Sequence, residues 1–599
     1  MCGLAALIWK SGHTPENIGS LLQRLERGLV HRGPDETGSL VGEGFGVVHR
    51  RLAIVDIADG QQPMLASDGK VGIVYNGEVY NYLAIRAELE ARGHAFKTRC
   101  DTEVVLKAYL EYGSAAFRRF DGMFAIFIWD LRNAEAGEFH LVRDHMGTKP
   151  LYVYEDATRF IVSSELLPIV SLGDTDCTLN PAGLHLYLSF RYTPSQSSIF
   201  RNIKRVEAGT RWHIRNGRAT QWRYWDLPGA AADPVKSLGE AAEALTALLI
   251  ESVRDQQMGE VPIALLLSGG LDSSAIAYAC HRLGANYHTF NIGFPTVNEF
   301  EYSHAVAARF EQKHTTVEIT PEEIVSLFPA VVDAMDEPMA DPACFPLFAL
   351  CREIHRHATV VLSGEGSDEL LGGYPQYARL LNAPPQSADA QFIEFFDASW
   401  YFRGADVPAH GGFDPSTIRR YFSYFAERPL LDGMLAFDLK TWLPENLLMK
   451  ADKILMSQSL EGRFPFLSRK IVEFAMALPE SLKWNDVGKV VLRTAMKDAL
   501  PETVLTRPKM GFSVPVPDLL RRLRPRFLDL LGLHERCEIA ETIDVPAIRR
   551  MAEGHFSGGP DRSLLLWNLL VLFQWLDAQR AARSTASRMA ARAPSSSYK

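Results

Sequence analysis

The run IALLLSGGLDSS (263–274) constrains the fold more than any other stretch of this 599-residue chain. An apolar segment too short for a helix enters two glycines, an aspartate and two serines, and a helical pattern (SSAIAYACHRL) follows. A buried strand that passes through a glycine turn into a helix opens a parallel α/β unit. The next stretches, YHTFNIGF and EFEYSHAVAARF, repeat the rhythm of strand and helix. The turn also suits an anion. Its glycines let backbone N–H groups approach phosphate oxygens, Ser268 and Ser273 donate further bonds, and the helix N-terminus adds positive potential. Asp272 is placed to hold Mg²⁺ beside such phosphates. No lysine and no GK[ST] follow, so this is not a Walker loop. Nor is GEGSDE (364–369) a dinucleotide fingerprint, because Glu369 stands where a third glycine is required.

Upstream the pattern differs. Residues 1–210 alternate short β-like runs (GLAALIW, GFGVVHRRLAIVDI, VGIVYNGEVYN, MFAIFIWDL, EFHLVRD, RFIVSSE) with helical stretches near 16–30 and 82–93, which reads as a strand-rich α+β domain. Residues 211–237, with the Gly, Ala and Pro-rich DLPGAAADPVKS at their end, read as a linker. The βαβ domain then occupies 238–520, a helical extension 521–579, and a basic tail 580–599 that lacks acidic residues and reads as disordered. The late apolar run LLLWNLLVLFQWL (564–576) is too short to span a bilayer and reads as a buried helix. A net charge of −9 argues against a nucleic-acid or anionic-membrane partner. The seven cysteines have no metal or disulfide spacing, and no signal peptide precedes the first strand, so a cytoplasmic protein is expected.

A cysteine at position 2 gains meaning from its company. Once Met1 is removed, the α-amine of Cys2 can act as general base for its own thiol. YNGEVYN (75–81) offers oxyanion donors, the Asn76 side chain and the backbone N–H of Gly77, where a missing side chain lets a substrate approach, and adds the carboxylate of Glu78. A substrate with α-amino and α-carboxyl groups needs an arginine fork and an acid, and Arg51 and Asp101 supply them. MCG, HRGPDETG, HRRLAIVD, YNGEVYN, CDTE and RDHMGTKPLY together resemble the glutaminase domain of class II glutamine amidotransferases, an N-terminal-nucleophile fold of stacked antiparallel sheets between helices. The resemblance implies glutamine hydrolysis through a Cys2 thioester, with Arg51, Glu78 and Asp101 holding glutamine and Asn76 with Gly77 forming the oxyanion hole. Active protein is expected to begin at Cys2.

VVLSGEGSDELLGGY (360–374) supplies a second wall to the SGGLDSS turn. Two acids there divide naturally, Asp368 on Mg²⁺ and Glu365 as base for an attacking amine, while Lys489 is a candidate for neutralising a departing pyrophosphate. With DEPMADPACFP, LLMKADKILMSQSLEGRFPFLS and RPKMGFSVPV, these segments resemble the ATP-pyrophosphatase domain of glutamine-hydrolysing asparagine synthetases. The resemblance implies that ATP activates a carboxylate, aspartate first, as an acyl-AMP, and that ammonia reaches it through an internal tunnel. It also implies a nucleotide pocket that includes Leu267, Ser268, Gly269, Gly270, Ile292, Ser363 and Gly364, and a homodimer. Ser468 stands where that family carries an aspartate, Gly462 replaces a β-branched residue, and Ala343 and Cys344 replace a small hydroxyl residue and an alanine. Two readings of Ser468 stand side by side: a change of acceptor carboxylate, such as a sugar acid or a secondary-metabolite intermediate, or the exchange of one helix cap for another.

Overall fold

The computed structural model describes residues 2–592 except 133–136, 230–236, 385, 400–420, 427, 508, 510, 512, 513 and 536, with the backbone alone over 582–592. The first domain begins with β1 (Gly3–Trp9), α1 (Ile18–Arg27), β2 (Glu36–Gly42), β3 (Phe45–Arg51), β4 (Met64–Leu65), β5 (Val71–Val79), α2 (Tyr82–Ala91) and α3 (Asp101–Tyr112). It continues with β6 (Gly122–Asp130), β7 (Glu138–Arg143), β8 (Tyr152–Glu155), β9 (Arg159–Ser163), α4 (Leu166–Ser171), α5 (Pro181–Phe190), β10 (Ile203–Arg205), β11 (Thr210–Arg215) and β12 (Arg218–Arg223). Two six-stranded sheets result, ordered β10-β8-β9-β1-β3-β2 and β12-β11-β7-β6-β5-β4, with antiparallel pairing throughout.

Strand periodicity explains how the layers stack. In β1, Leu4, Ala6 and Ile8 face one core, and Ala5 and Leu7 face another. In β6, Ala125, Phe127 and Trp129 join Leu4 and Ile8 between the sheets, whereas Phe124, Ile126 and Ile128 meet Val104 and Val105 of α3. Residues two apart share a face, so each inner strand is apolar on both sides and the sheets lie between helices.

Residues 211–223 correct the linker boundary. They form most of β11 and all of β12, a hairpin added to the edge of the second sheet, so the first domain extends to about the end of β12. Trp212 and Ile214 are buried between the sheets, a period-two signal masked by the charged residues that alternate with them. Most of DLPGAAADPVKS lies outside the described residues.

The second domain starts with α6 (Leu238–Asp255), whose N-cap Ser237 accepts from the Glu240 amide. A five-stranded parallel sheet follows: β13 (Ile263–Leu266), β14 (His288–Gly293), β15 (His314–Glu318), β16 (Val360–Leu362) and β17 (Glu461–Arg463). Between them run α7 (Leu271–Arg282), α8 (Phe300–Arg309), α9 (Pro321–Ala334) and α10 (Cys344–Ile354). The sheet order β15-β14-β13-β16-β17 reverses direction between β13 and β16. A ligand crevice forms at such a switch point, outside the carboxyl ends of the strands. The remaining chain is mainly helical. Its last helix, Ser563–Arg592, buries Leu566, Trp567, Leu570 and Phe573, as the apolar run 564–576 predicts. That helix continues to Arg592, which corrects the disordered reading of 580–592: alanine-rich sequence propagates a helix already nucleated by packing. Residues 593–599 lie outside the described residues. Among the described residues no helix is long and apolar enough to cross a membrane.

Candidate active sites

Cys2 sits at the head of β1, with its thiol against a crevice that Arg51, Gln62, Gly77, Glu78, Asp101 and Thr102 also line. Its backbone nitrogen donates to Asn76 Oδ1 at 2.9 Å. That bond turns the Asn76 amide so that Nδ2, fully buried, has no partner among the described residues. A buried unpaired donor costs free energy unless something accepts from it, so Nδ2 is available to an acceptor that enters the crevice. Burial pushes the Cys2 thiol up, so it requires a base in contact with it. His49 cannot serve, because its ring bonds the Tyr75 carbonyl at 3.0 Å and burial lowers it to about 3.

The glycine of YNGEVYN lines the crevice and also has a reason that the sequence did not show. At φ +150°, a Cβ on Gly77 would lie 2.0 Å from the Met123 carbonyl oxygen, so β6 also demands the glycine.

Asp101, the first residue of α3, accepts from Tyr75 Oη at 2.8 Å and the Val79 amide at 2.9 Å, and burial raises it to about 6. Glu78 is pushed well up by burial and by Asp101 and Glu461, and its Oε2 has no hydrogen-bond partner among the described residues. Arg51 is already engaged: Nη1 donates to Glu36 Oε2 (2.9 Å) and the Ile57 carbonyl (3.0 Å), and Nη2 to the carbonyls of Val55 (3.1 Å) and Asp56 (2.8 Å). The fork is thus tied to the 55–57 turn, and a carboxylate reaching it has to compete with that turn.

The second site is a cavity of about 620 Å³ at the switch point. The ends of β13 and β16 contribute Leu267, Ser268, Ser363 and Gly364; α7 contributes Gly270 at its N-cap, Asp272 and Ser273; Ile292, Glu365, Asp368 and Lys489 complete the set expected from sequence. Gly269 does not line the cavity. Its φ of +72° and the Ser303 amide, 2.4 Å from where a Cβ would stand, make it the residue that shapes the turn. Lys489 Nζ lies 2.6 Å from both Asp272 oxygens and 2.6 Å from Asp368 Oδ1. Lys509 Nζ donates to Asp368 Oδ2 at 2.6 Å. Although burial opposes it, the two ammonium groups hold Asp368 well below the usual carboxylate range. A cation is therefore already held between the two carboxylates, and these hard oxygen donors fit a magnesium ion. Burial raises Glu365, and it raises Glu369, with help from Asp368, to about 8; Glu369 accepts from Tyr374 Oη at 2.5 Å.

Sequence reading missed Lys509, Lys450 and Tyr374. Lys450 lines the cavity and donates to Asp341 Oδ2 at 3.0 Å. Charged residues inside an apolar helical run (LLMKADKILM) were the available signal.

Of the departures, Ser468 caps a helix: it precedes Arg469–Ala477, its hydroxyl accepts from the Ile471 amide, and it is not among the residues that line the cavity. Gly462 is buried in β17 opposite Val361, and Cys344 is buried at the start of α10. Ala343 alone among the four borders the cavity.

Buried ion pairs join the two domains. Asp452, in the helix Leu448–Met456, accepts from Arg32 Nη1 (2.8 Å) and Nη2 (3.2 Å) and lies 3.5 Å from Lys149 Nζ, and all three side chains are fully buried. Arg32 Nε donates to the carbonyl of Cys2 at 3.0 Å. Lys453 reaches Glu165 at 2.9 Å, and Arg143 reaches Glu445 at 3.2 Å. Arg463 of β17 approaches Glu78 at 3.8 Å while its carbonyl accepts from the Ser363 amide at 3.0 Å.

Two family models cover nearly the whole chain, the glutamine amidotransferase domain over 1–225 and asparagine synthase over 244–577. A putative glutamine-hydrolysing asparagine synthetase of Mycobacterium bovis is 33% identical over 638 residues, covering 96% of this chain and 97% of that protein. Asparagine synthetase 1 of Bacillus subtilis, also glutamine-hydrolysing, is 30% identical over 609 residues, covering 93% of each. With both domains matched and relatives of 30–33% identity covered almost end to end, the chain belongs to the glutamine-hydrolysing asparagine synthetase family and is a ligase of that type.

Proposed function

We propose that this protein converts aspartate to asparagine, with glutamine hydrolysed at Cys2 and its ammonia passed through the interior to an aspartyl-AMP formed at the switch-point cavity. The observation that carries the first half is the unpaired, buried Asn76 Nδ2 beside Cys2. In this reading Cys2 Sγ attacks the glutamine amide carbon while its α-amine, freed by loss of Met1, takes the thiol proton. Asn76 Nδ2 and the Gly77 N–H stabilise the oxyanion; its collapse expels ammonia, which receives the proton from the amine, and water then releases glutamate. Asp101 and Glu78 hold the glutamine ammonium, and Arg51 its carboxylate.

In the cavity, an oxygen of the acceptor carboxylate attacks the α-phosphorus of ATP and pyrophosphate leaves. Lys489 and Lys509 offset the charge that builds on the departing group. Asp272 and Asp368 would hold Mg²⁺, which when bound neutralises phosphate charge. Glu365 takes the proton that ammonia loses on forming the amide, a role served by the burial that raises it. Amide formation releases AMP. ATP–pyrophosphate exchange across a panel of carboxylates tests this: aspartate alone should support rapid exchange. Failure of aspartate while another acid responds would sink the aspartate reading. The second reading, the same chemistry on a different carboxylate, draws on Ala343, which borders the cavity without a hydroxyl.

A further inference from the structure

The outer face of the second sheet of the glutaminase domain carries a group of side chains that neither reaction uses. His140 in β7 and His213 in β11 are direct cross-strand partners, and Glu138 stands two residues before His140 on the same face. The alternation of the strands puts these three outward, because Phe139 and Leu141, like Trp212 and Ile214, point into the core between the sheets. The two imidazoles stack with centroids 4.6 Å apart and planes 13° from parallel. One ring nitrogen of each histidine and one carboxylate oxygen of Glu138 all lie within 4.8 Å of one another.

Three further observations distinguish this group from a chance surface cluster. His140 is 4% exposed, yet its Nδ1 has no hydrogen-bond partner among the described residues, a state that buried ring nitrogens rarely tolerate without a ligand. Glu138 is held by both oxygens: Oε2 lies 3.2 Å from His213 Nε2, and Oε1 lies 3.2 Å from Arg215 Nη1, so the arginine orients the carboxylate as an outer-shell partner of a ligand does. The aromatic rings of Tyr109 and Phe117, 5.3 and 6.3 Å from His140, close the inner side.

We propose that Glu138, His140 and His213 form a site for one borderline divalent metal ion, Zn²⁺ in the first place, that staples β7 to β11. Two imidazoles and a carboxylate suit zinc and leave a fourth tetrahedral position for water, whereas Mg²⁺ disfavours nitrogen ligands. Tetrahedral ligands stand about 3.4 Å apart with converging lone pairs, so binding requires His213 to turn out of its stack on His140, a movement open to it because His213 and Glu138 are only partly buried. The link would tie the hairpin that hands the chain to the second domain to the sheet that carries Asn76 and Gly77.

The test uses full-length protein carrying Cys2→Ser, which removes the N-terminal thiol as a competing ligand, in buffer containing Mg²⁺. Titration with Zn²⁺ should show one ion per chain and a rise in melting temperature. Co²⁺ in its place should give visible ligand-field bands without sulfur-to-cobalt charge transfer. His213→Gln, on a partly exposed strand position, should weaken binding at least about tenfold and cancel the rise in melting temperature, and Glu138→Gln should weaken it as well. No binding by the parent, or unchanged affinity and melting shift in His213→Gln, would overturn the proposal.

Discussion

Asp452→Asn tests whether the synthetase domain holds the glutaminase nucleophile in place. Asp452 sits wholly inside the protein, where solvent does not screen it, and accepts two bonds from Arg32 with Lys149 close by. The amide keeps the shape, yet leaves two cations facing a neutral group with an N–H turned toward one of them. Removing one partner from a buried ion pair costs about 3–5 kcal/mol. Arg32 retains Glu165 at 2.5 Å, which places the loss at the lower end, about 3 kcal/mol, or roughly two powers of ten in the preference for the native arrangement. Arg32 also holds the Cys2 carbonyl, so the loss should appear at the nucleophile. Glutamate release from glutamine should fall about 10- to 100-fold in kcat, within what a misplaced reacting group costs. Pyrophosphate release driven by added ammonia should be largely retained, because Lys450, on the cavity side of the same helix, keeps Asp341. Wild-type glutaminase activity would refute the reasoning. Equal loss of both activities would also refute it, because the helix rather than the ion pair would then be at fault.

Asn76→Ala should lower glutaminase kcat by about 10²–10³ with little change in KM, since it removes a donor used only by the oxyanion, and ammonia-driven synthesis should persist. Burial raises Asp101 to about 6, and in the proposed reading it holds the glutamine ammonium as a carboxylate, so KM for glutamine should rise as pH falls below about 6, and Asp101→Asn should abolish that slope in a pH series. The sign for stability is opposite: the folded state holds this proton more tightly than the unfolded chain, so Asp101 contributes less stability as pH rises through about 6. Lys489→Ala should cut ATP–pyrophosphate exchange by about 10²-fold or more while sparing glutamine hydrolysis, because it leaves Asp272 and Asp368 facing the phosphates with only Lys509 between them. Ser468→Asp should leave both melting temperature and the carboxylate profile unchanged, since aspartate caps a helix as well as serine does.

Local pattern made most of the architecture legible. Strand, glycine turn and helix around 263–282 announced the parallel sheet, and the acids of GEGSDE found its second wall because glycines around carboxylates leave few structural uses for them. The pattern failed where charge interrupts it. RWHIR read as linker because arginines and a histidine alternate with the residues that pack, yet Trp212 is 2% exposed, and RATQWR, the exposed edge strand paired to it, shows no apolar face of its own. At Gly269 the structure adds a reason that the sequence did not show: a glycine at φ +72° beside the Ser303 amide shapes the turn whose neighbours line the cavity.

The interface between domains was legible only as an excess of motif over chemistry. HRGPDETG and RDHMGTKPLY helped mark the first domain without supplying a nucleophile, a base or a glutamine contact, and a sequence cannot say that such residues face a partner 300 or 400 positions away. In the structure Arg32 and Lys149 belong to Asp452, Arg143 to Glu445, and the His31 carbonyl accepts from Ser459. The stretch from Lys450 to Arg463 explains why. Lys450 turns to the nucleotide cavity, Asp452 and Lys453 turn to the first domain, and Arg463 touches Glu78 of the glutamine crevice while its backbone holds Ser363 of the cavity. One helix and one strand thus carry contacts to both sites. Burying that many charges has a desolvation cost that apolar packing would avoid, so the pairs are better suited to fixing register between domains than to adding stability. A shift of the cavity wall on binding ATP would be felt at Glu78 and at the carbonyl of Cys2 through side chains already in contact, which is the physical reason to expect Asp452→Asn to be read at the distant nucleophile.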